Sequence, residues 1–312
     1  MAPEISVTSP LATTPPLDTF RNDRAYLGAD HARNERRTWL VVAICVVTMA
    51  VQIIGGMVFH SMALIANGLH LAAHIVVLAA AAVAYGISRA FARDSRLAFG
   101  TGKVGYLVGF ANGLVLATTG LMIGIESLQR VFQPEEIAYV GALELAALAL
   151  LVNLLCVRIL QPKAAAGPDT DGDLNLSAAH LHLTADTVVS GLAILSLAAG
   201  RAWDLTWADP VAAMAGAVLV CHFAWKLLRR TGAALLDATP SRALMDDIRQ
   251  RLTVDGAQVI DLHVWRLGPG HHAAIIVLQA ETPEPALAYR RRLEGIPELS
   301  HITIEVRANG DA

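Results

Sequence analysis

Six stretches of this chain, near residues 39–59, 63–88, 105–128, 138–160, 176–199 and 206–228, are almost wholly apolar and as long as a bilayer is thick. Crossing the hydrocarbon core takes roughly 20 helical residues. In lipid the backbone polar groups must be paired within the segment, which selects the helix. Charge is correspondingly scarce: 16% of the 312 residues are charged and 54% are hydrophobic, against roughly 25% charged in an ordinary soluble domain. The deficit lies between Thr38 and Leu228, and the flanks have soluble composition. The expected architecture is therefore an α-helical membrane protein with six transmembrane helices over 38–228.

Basic residues alternate between the two sides of these spans. Arg33, Arg36 and Arg37 precede the first span. Arg89, Arg93, Arg96 and Lys103 separate the second and third, Arg158 and Lys163 follow the fourth, and Lys226, Arg229 and Arg230 end the sixth. The opposite connections hold only Arg130 and Arg201. By the positive-inside rule both termini face the cytoplasm, as an even number of spans requires. This makes the chain a multi-pass protein of the cell (inner) membrane. Residues 1–37 are polar, carry Pro15 and Pro16, and lack the apolar run of a secretory signal. They are expected to form a mobile or loosely docked cytoplasmic tail. Residues 163–175 (KAAAGPDTDGDLN) are expected to form a flexible cytoplasmic loop.

Residues 229–312 have a different texture. Leu244, Ile248 and Leu252 form a helical stripe. Residues 259–266 (VIDLHVWR) alternate, which predicts Ile260, Leu262 and Val264 on one face of a strand and Asp261, His263 and Trp265 on the other. A GPG turn at 268–270, an apolar strand at 273–280, a helix at 285–294 and an alternating strand at 301–307 complete a small cytoplasmic α/β domain of order αββαβ. Its limited core makes association plausible. The net charge of −3 gives no sign of nucleic-acid binding. Cys45, Cys156 and Cys221 lie in apolar spans without CxxC spacing, and read as buried inert thiols.

Two spans carry metal-ligand side chains one helical turn apart: His70 and His74 in the second, His182 and Asp186 in the fifth. Residues four apart share a helix face. If the two pairs face each other, three imidazole nitrogens and one carboxylate suit a tetrahedral divalent ion. Asp186 argues most strongly, because a carboxylate in mid-span needs a partner or a water-filled cavity, and no Lys or Arg stands in a span core. Taken singly, His60, His180 and His222 read as hydrogen-bonding glue between helices. Glu126, Glu144 and Asp209 read as interfacial, packing or gating groups, and Gly55, Gly56, Gly109, Gly113 and Gly120 permit close helix approach. A membrane redox protein with bis-histidine haem ligation is the rival reading, but it leaves Asp186 unexplained. No HExxH motif supports an intramembrane protease, and nothing else marks an enzyme.

These residues sit within a longer pattern. GG at 55–56, SMALIANGLHLAAH at 61–74, FGTGKVG at 99–105, LSAAHLHLTAD at 176–186, DP at 209–210, LLDATP at 235–240, DLHVWRLGPGH at 261–271 and HITIEV at 301–306 occur in order. Over nearly the whole chain this resembles the cation diffusion facilitator family, most of all its bacterial cobalt- and nickel-exporting subgroup. The resemblance implies a homodimer that exchanges cytoplasmic divalent metal (Co, Ni, and also Zn, Cd or Fe) for protons, with transport ligands His70, His74, His182 and Asp186. Asn67 stands where an Asp is common in the family, Ile260 where many relatives have a His ligand, and the 163–175 loop lacks a His-rich tract. A weaker cytoplasmic metal site from His263, His301 and Glu305 requires their strands to adjoin. His271 and His272, beside the turn, are expected to be solvated.

Overall fold

The computed structural model describes residues 26–58, 62–132, 139–162, 173–205 and 207–309; the side chains of residues 56, 62–67, 69, 70, 73 and 139 fall outside the described set. Six long helices come first: α1 (His31–Val58), α2 (Met62–Ala90), α3 (Val104–Phe132), α4 (Tyr139–Leu160), α5 (Leu174–Trp203) and α6 (Ala208–Leu235). Among the described residues five of them, α1 and α3 to α6, are long and apolar enough to cross a membrane. In α2, a helix of 29 residues, the described apolar stretch runs from His74 to Ala90.

The bundle wears its apolar side chains outward. Val47, Val51, Leu151, Leu195, Val218 and Trp225 are exposed, whereas Gln52, His74, Asn112, Asn153, Asn175 and His182 are buried. Helices pair as α1 with α2, α3 with α6 and α4 with α5, and α5 also touches α2, α3 and α6. The α3–α6 approach depends on small residues. A Cβ on Gly113 would lie 2.9 Å from Leu228 Cδ2, and one on Gly120 2.9 Å from Cys221 Sγ. Gly109 meets Thr231 in the same seam, but Gly55 faces open space and makes no such approach.

Some helices extend past the ends that hydropathy alone predicts. Helix α1 starts at His31, so the tail expected through residue 37 is partly helical, and α6 continues to Leu235, past the boundary expected at 228. Polar turns at the membrane surface are helical too, because amphiphilic residues such as Arg89 and Arg229 extend a helix beyond the hydrocarbon.

The α/β unit follows: α7 (Arg242–Leu252), β1 (Gln258–Gly268), β2 (His271–Ala280), α8 (Ala286–Arg292) and β3 (Leu299–Ala308). Ser241 caps α7 by accepting from the Leu244 amide. The sheet has order β1-β2-β3, with β1 and β2 antiparallel and β2 and β3 parallel. Helix α8 provides the crossover that a parallel pair requires. Ile248, Leu252, Leu262, Val264, Ile276, Leu278, Tyr289 and Leu293 form its core. Ile260 is not with them. The pairing shifts between Val259 and Asp261, a bulge that leaves Ile260 out of register and 56% exposed while Val259 packs on the core.

Several contacts dock the unit on the bundle. Tyr26 packs with Leu267 and Ala273. Phe99, between α2 and α3, stacks edge-on against Trp265 and His301 at 5.7 and 5.6 Å. Lys103 pairs with Asp237. Gly102 lies so close to the Leu267 carbonyl that no side chain fits between them. The neighbouring histidines are not solvated. His271 Nδ1 meets Ser300 Oγ at 2.7 Å and its Nε2 meets the Leu27 carbonyl at 3.3 Å. His272 is 2% exposed and lies 3.8 Å from Glu298.

Candidate metal centre

The site begins with the start of α5. Asp173 caps this helix by accepting from the amides of Asn175 and Leu176. The same carboxylate accepts from Asn34 Nδ2 at 2.9 Å, on α1, and from the Tyr85 hydroxyl, on α2. Asn175 in turn donates to the Ala81 carbonyl of α2 at 2.8 Å. A helix N-terminus offers four unpaired amides, and here one residue satisfies two of them while tying three helices together. Asp173, Asn34, Tyr85 and Asn175 were not singled out from the sequence. The available signal was the Asp-Leu-Asn cap before an apolar run, which lay at the end of the expected loop. Residues 163–172 of that loop are outside the described residues.

Two turns further along α5, His182 faces His74 of α2. His74 Nδ1 lies 3.0 Å from His182 Nε2 and 3.1 Å from Asp186 Oδ2, and His182 Nε2 lies 3.6 Å from the same oxygen. Among the described residues these three form the group of His, Cys, Asp or Glu side chains able to hold one metal ion. Bonds of about 2.0–2.1 Å at tetrahedral angles separate neighbouring ligand atoms by roughly 3.3 Å, so the triangle has the size of one face of a tetrahedron. The imidazoles are 7% and 5% exposed, and the carboxylate is 19% exposed. The two rings touch edge to face, 5.2 Å between centroids, which leaves no slot for a haem between them.

His70, one turn before His74 on α2, and Asn67 have side chains outside the described residues, as does His60. His180 and His222 do not join the cluster: His180 is partly buried on another face of α5, and His222 is exposed on α6. Glu144 is exposed on α4. At the far end of the bundle Arg130 pairs with Glu126 at 2.6 Å, and Asp209 accepts from Ser196 at 3.3 Å. Cys45 and Cys156 are buried together among Val41, Leu78, Leu160 and Leu183 as free thiols, and Cys221 is partly buried.

His74 and Asp186 open onto a cavity of about 140 Å³, lined also by Thr48, Gln52, Thr119, Ile123, Asn153 and Ser190. On α5, Ser190 stands one turn beyond Asp186, away from the helix end capped by Asp173. An apolar cluster that includes Val42, Cys45, Leu78, Cys156, Leu160 and Leu183 packs around the site. Gln52 and Asn153 are further polar residues that sequence reading passed over, because an isolated amide in an apolar span carries no spacing signal.

The three cytoplasmic candidates are not gathered within this chain. Strand β2 separates β1 from β3, so His263 is two strands away from His301 and Glu305. His263 pairs instead with Asp261 at 2.9 Å, and Glu305 with Arg307 at 2.7 Å. His301, against Phe99, has its pKa lowered, first by burial and then by the charge of Arg290.

Comparison with known proteins agrees with this arrangement. The family described as the cation efflux transmembrane domain matches residues 38–236. The chain is 28% identical over 253 residues to a cadmium, cobalt and zinc/H(+)-K(+) antiporter of Bacillus subtilis, covering 79% of each chain. It is 26% identical to the zinc transporter ZitB of Yersinia pestis, over 88% of both chains. It is also 26% identical to the metal cation efflux system protein CzcD of Cupriavidus metallidurans, over 89% of this chain and 90% of that one. A helical bundle matched by this family from residue 38 to 236, with His74, His182 and Asp186 converging inside it from two helices, makes the chain a member of the cation diffusion facilitators, a family of metal cation efflux transporters.

Proposed function

We propose that this protein is a proton-coupled antiporter that exports a divalent transition metal, Co(II) or Ni(II) first and Zn(II), Cd(II) or Fe(II) with them, from the cytoplasm. In this reading it is a homodimer in the cell membrane with six spans per subunit, both termini cytoplasmic, and His70, His74, His182 and Asp186 as transport ligands. The observation that carries it is the triangle of His74 Nδ1, His182 Nε2 and Asp186 Oδ2, with edges of 3.0, 3.1 and 3.6 Å inside a bilayer-length bundle. His70, four residues before His74 in the sequence, is the fourth ligand in this reading.

The chemistry follows from the donor set. Nitrogen-rich sites disfavour magnesium and calcium, which require oxygen shells, and suit the later divalent metals. Imidazoles must be neutral to bind, so loading releases protons. With an unperturbed pKa near 6.5, His lets protons compete with metal at physiological pH. In this reading the cavity beside His74 and Asp186 faces the exterior, where protonation expels the ion. Cadmium, cobalt and zinc in the relatives' names support the metal class. The exposed Ile260 and Ile275 of the small domain support self-association through it.

The test is uptake into proteoliposomes that carry a pH gradient and an internal metal dye. Co(II), Ni(II) and Zn(II) are expected to accumulate while Mg(II) and Ca(II) do not. Equal movement of Mg(II) and Co(II), or no gradient-driven movement of any metal, contradicts the proposal.

A further inference from the structure

Gln52 is a buried polar residue that the ligand triangle leaves without a role. It lies on α1, is 2% exposed, and lines the same cavity as His74 and Asp186. Among the described residues its Oε1 has no hydrogen-bond partner. Native proteins rarely leave a buried acceptor so, and the exceptions ask for a ligand. The rest of the wall is mixed: Leu71, Leu116, Val152 and Val220 supply apolar surface, and a few polar groups stand among them. Thr48, one turn earlier on α1, spends its hydroxyl proton on the Ile44 carbonyl at 2.9 Å, so only its lone pairs face the cavity. Asn153 of α4 is 7% exposed and lines the opposite wall, and Ser190 stands one turn beyond Asp186 on α5.

The amide and hydroxyl oxygens at these positions, beside the Asp186 carboxylate, suit a particular guest. Water bound to a divalent cation turns its oxygen to the metal and its protons outward, so a hydrated ion presents donors on all sides. Amide and hydroxyl oxygens are weak direct ligands for the borderline metals that choose imidazole, but good acceptors for the protons of metal-bound water. The cavity, about 140 Å³ in volume, has room for several waters.

We infer that the cavity between Gln52, Thr48, Asn153 and Ser190 is an exit station for the hydrated divalent ion, in which Gln52 Oε1 accepts from metal-bound water as water replaces the protein ligands. The inference rests on the reading of His74, His182 and Asp186 as the transport site. No covalent step is involved: each metal–imidazole or metal–carboxylate bond that breaks is replaced by a metal–water bond. Gln52 is thus a positioning residue. It lowers the barrier to release without contributing to the affinity of the loaded site.

The experiment uses the full chain with Co(II) as probe. Gln52→Leu is expected to bind Co(II) with wild-type stoichiometry, dissociation constant and visible absorption bands. Its release of Co(II) into excess chelator, read by stopped flow, is expected to slow by roughly tenfold or more, the effect of one lost charge-assisted hydrogen bond. In proteoliposomes kcat falls with it and KM does not. Gln52→Met, closer in shape, provides the same test if the leucine variant does not fold. Release at the wild-type rate with binding intact overturns the exit station and leaves the transport site standing. Loss of affinity or altered absorption bands in either variant overturns it in the other direction, by making Gln52 a direct ligand. Wild-type protein that binds no Co(II) overturns the transport site itself, and the exit station with it.

Discussion

The helical bundle and the small α/β unit use histidine in opposite ways. In the bundle, His182 and Asp186 are four residues apart on α5, a single helical turn, and their ligand atoms lie 3.6 Å apart. In the sheet, His301 and Glu305 are also four residues apart on β3. There the same spacing covers about 13 Å of extended chain, and the side chains find separate partners in Phe99 and Arg307. Burial reinforces the contrast. His74 and His182 are buried, whereas the His263 side chain is 66% exposed. A histidine and a carboxylate at identical spacing therefore converge in one region and part in the other, and the difference is the rise per residue of the element that carries them.

The largest expected effect separates the two regions outright. Asp186→Ala removes the oxygen vertex and the negative charge, and is expected to abolish metal export in proteoliposomes while the protein keeps its thermal stability. Normal transport by folded Asp186→Ala would put the ion somewhere other than the bundle.

Ile248→Ala acts on the other side of the comparison. Ile248 is fully buried in the core of the α/β unit, and its truncation is expected to cost that unit about 2–5 kcal/mol. Proteolysis or hydrogen exchange should report loosening confined to residues beyond Leu235, with Co(II) still bound by the bundle. Loss of bundle binding in this variant would mean that the two regions are not separable.

Asp173→Ala tests how the bundle holds its ligands. It is expected to cost roughly 1 kcal/mol for the cap and about 1–3 kcal/mol for the donors stranded on Asn34 and Tyr85. A thermal melt should show the loss, and Co(II) affinity should fall with it as α5 loosens. An unchanged melting temperature would remove Asp173 from the account.

The smallest effects belong to the sheet. His263→Ala and Glu305→Ala are expected to leave metal stoichiometry unchanged. His301 has its folded-state pKa depressed by burial and Arg290, so the unfolded chain binds its proton more readily. Its neutral form carries no penalty above the unfolded value of about 6.5; stability is lost as pH falls below that value. His301→Gln should flatten this acid limb of the stability curve slightly. A steeper limb in the variant would reverse the sign argued here.

Much of the bundle was legible because the bilayer imposes one rule on every span: length and hydropathy suffice to locate a helix. The convergence of His74 with His182 and Asp186 was legible in the one-turn spacing of ligand side chains on two spans, whereas the single residues Glu144 and His222 are exposed. What hydropathy does not carry is the geometry at helix ends, where Asp173 caps α5, and the single amides such as Gln52 and Asn153, whose significance appears only when a cavity surrounds them. In the α/β unit, alternation located the strands but not the bulge at Ile260, because an inserted residue shifts the period without altering composition. Strand order was also illegible: whether β1 adjoins β3 depends on the crossover made by α8, not on either strand.

The central claim is that a metal ion and protons compete for the ligand set of His74, His182 and Asp186. The most direct test records proton flux and Co(II) flux together in proteoliposomes at clamped voltage, in wild type and in Asp186→Ala. The account predicts counter-movement of protons with every phase of Co(II) transport in wild type, and neither flux in the variant. Co(II) movement in wild type without proton movement, or coupled fluxes that survive the loss of Asp186, would contradict it.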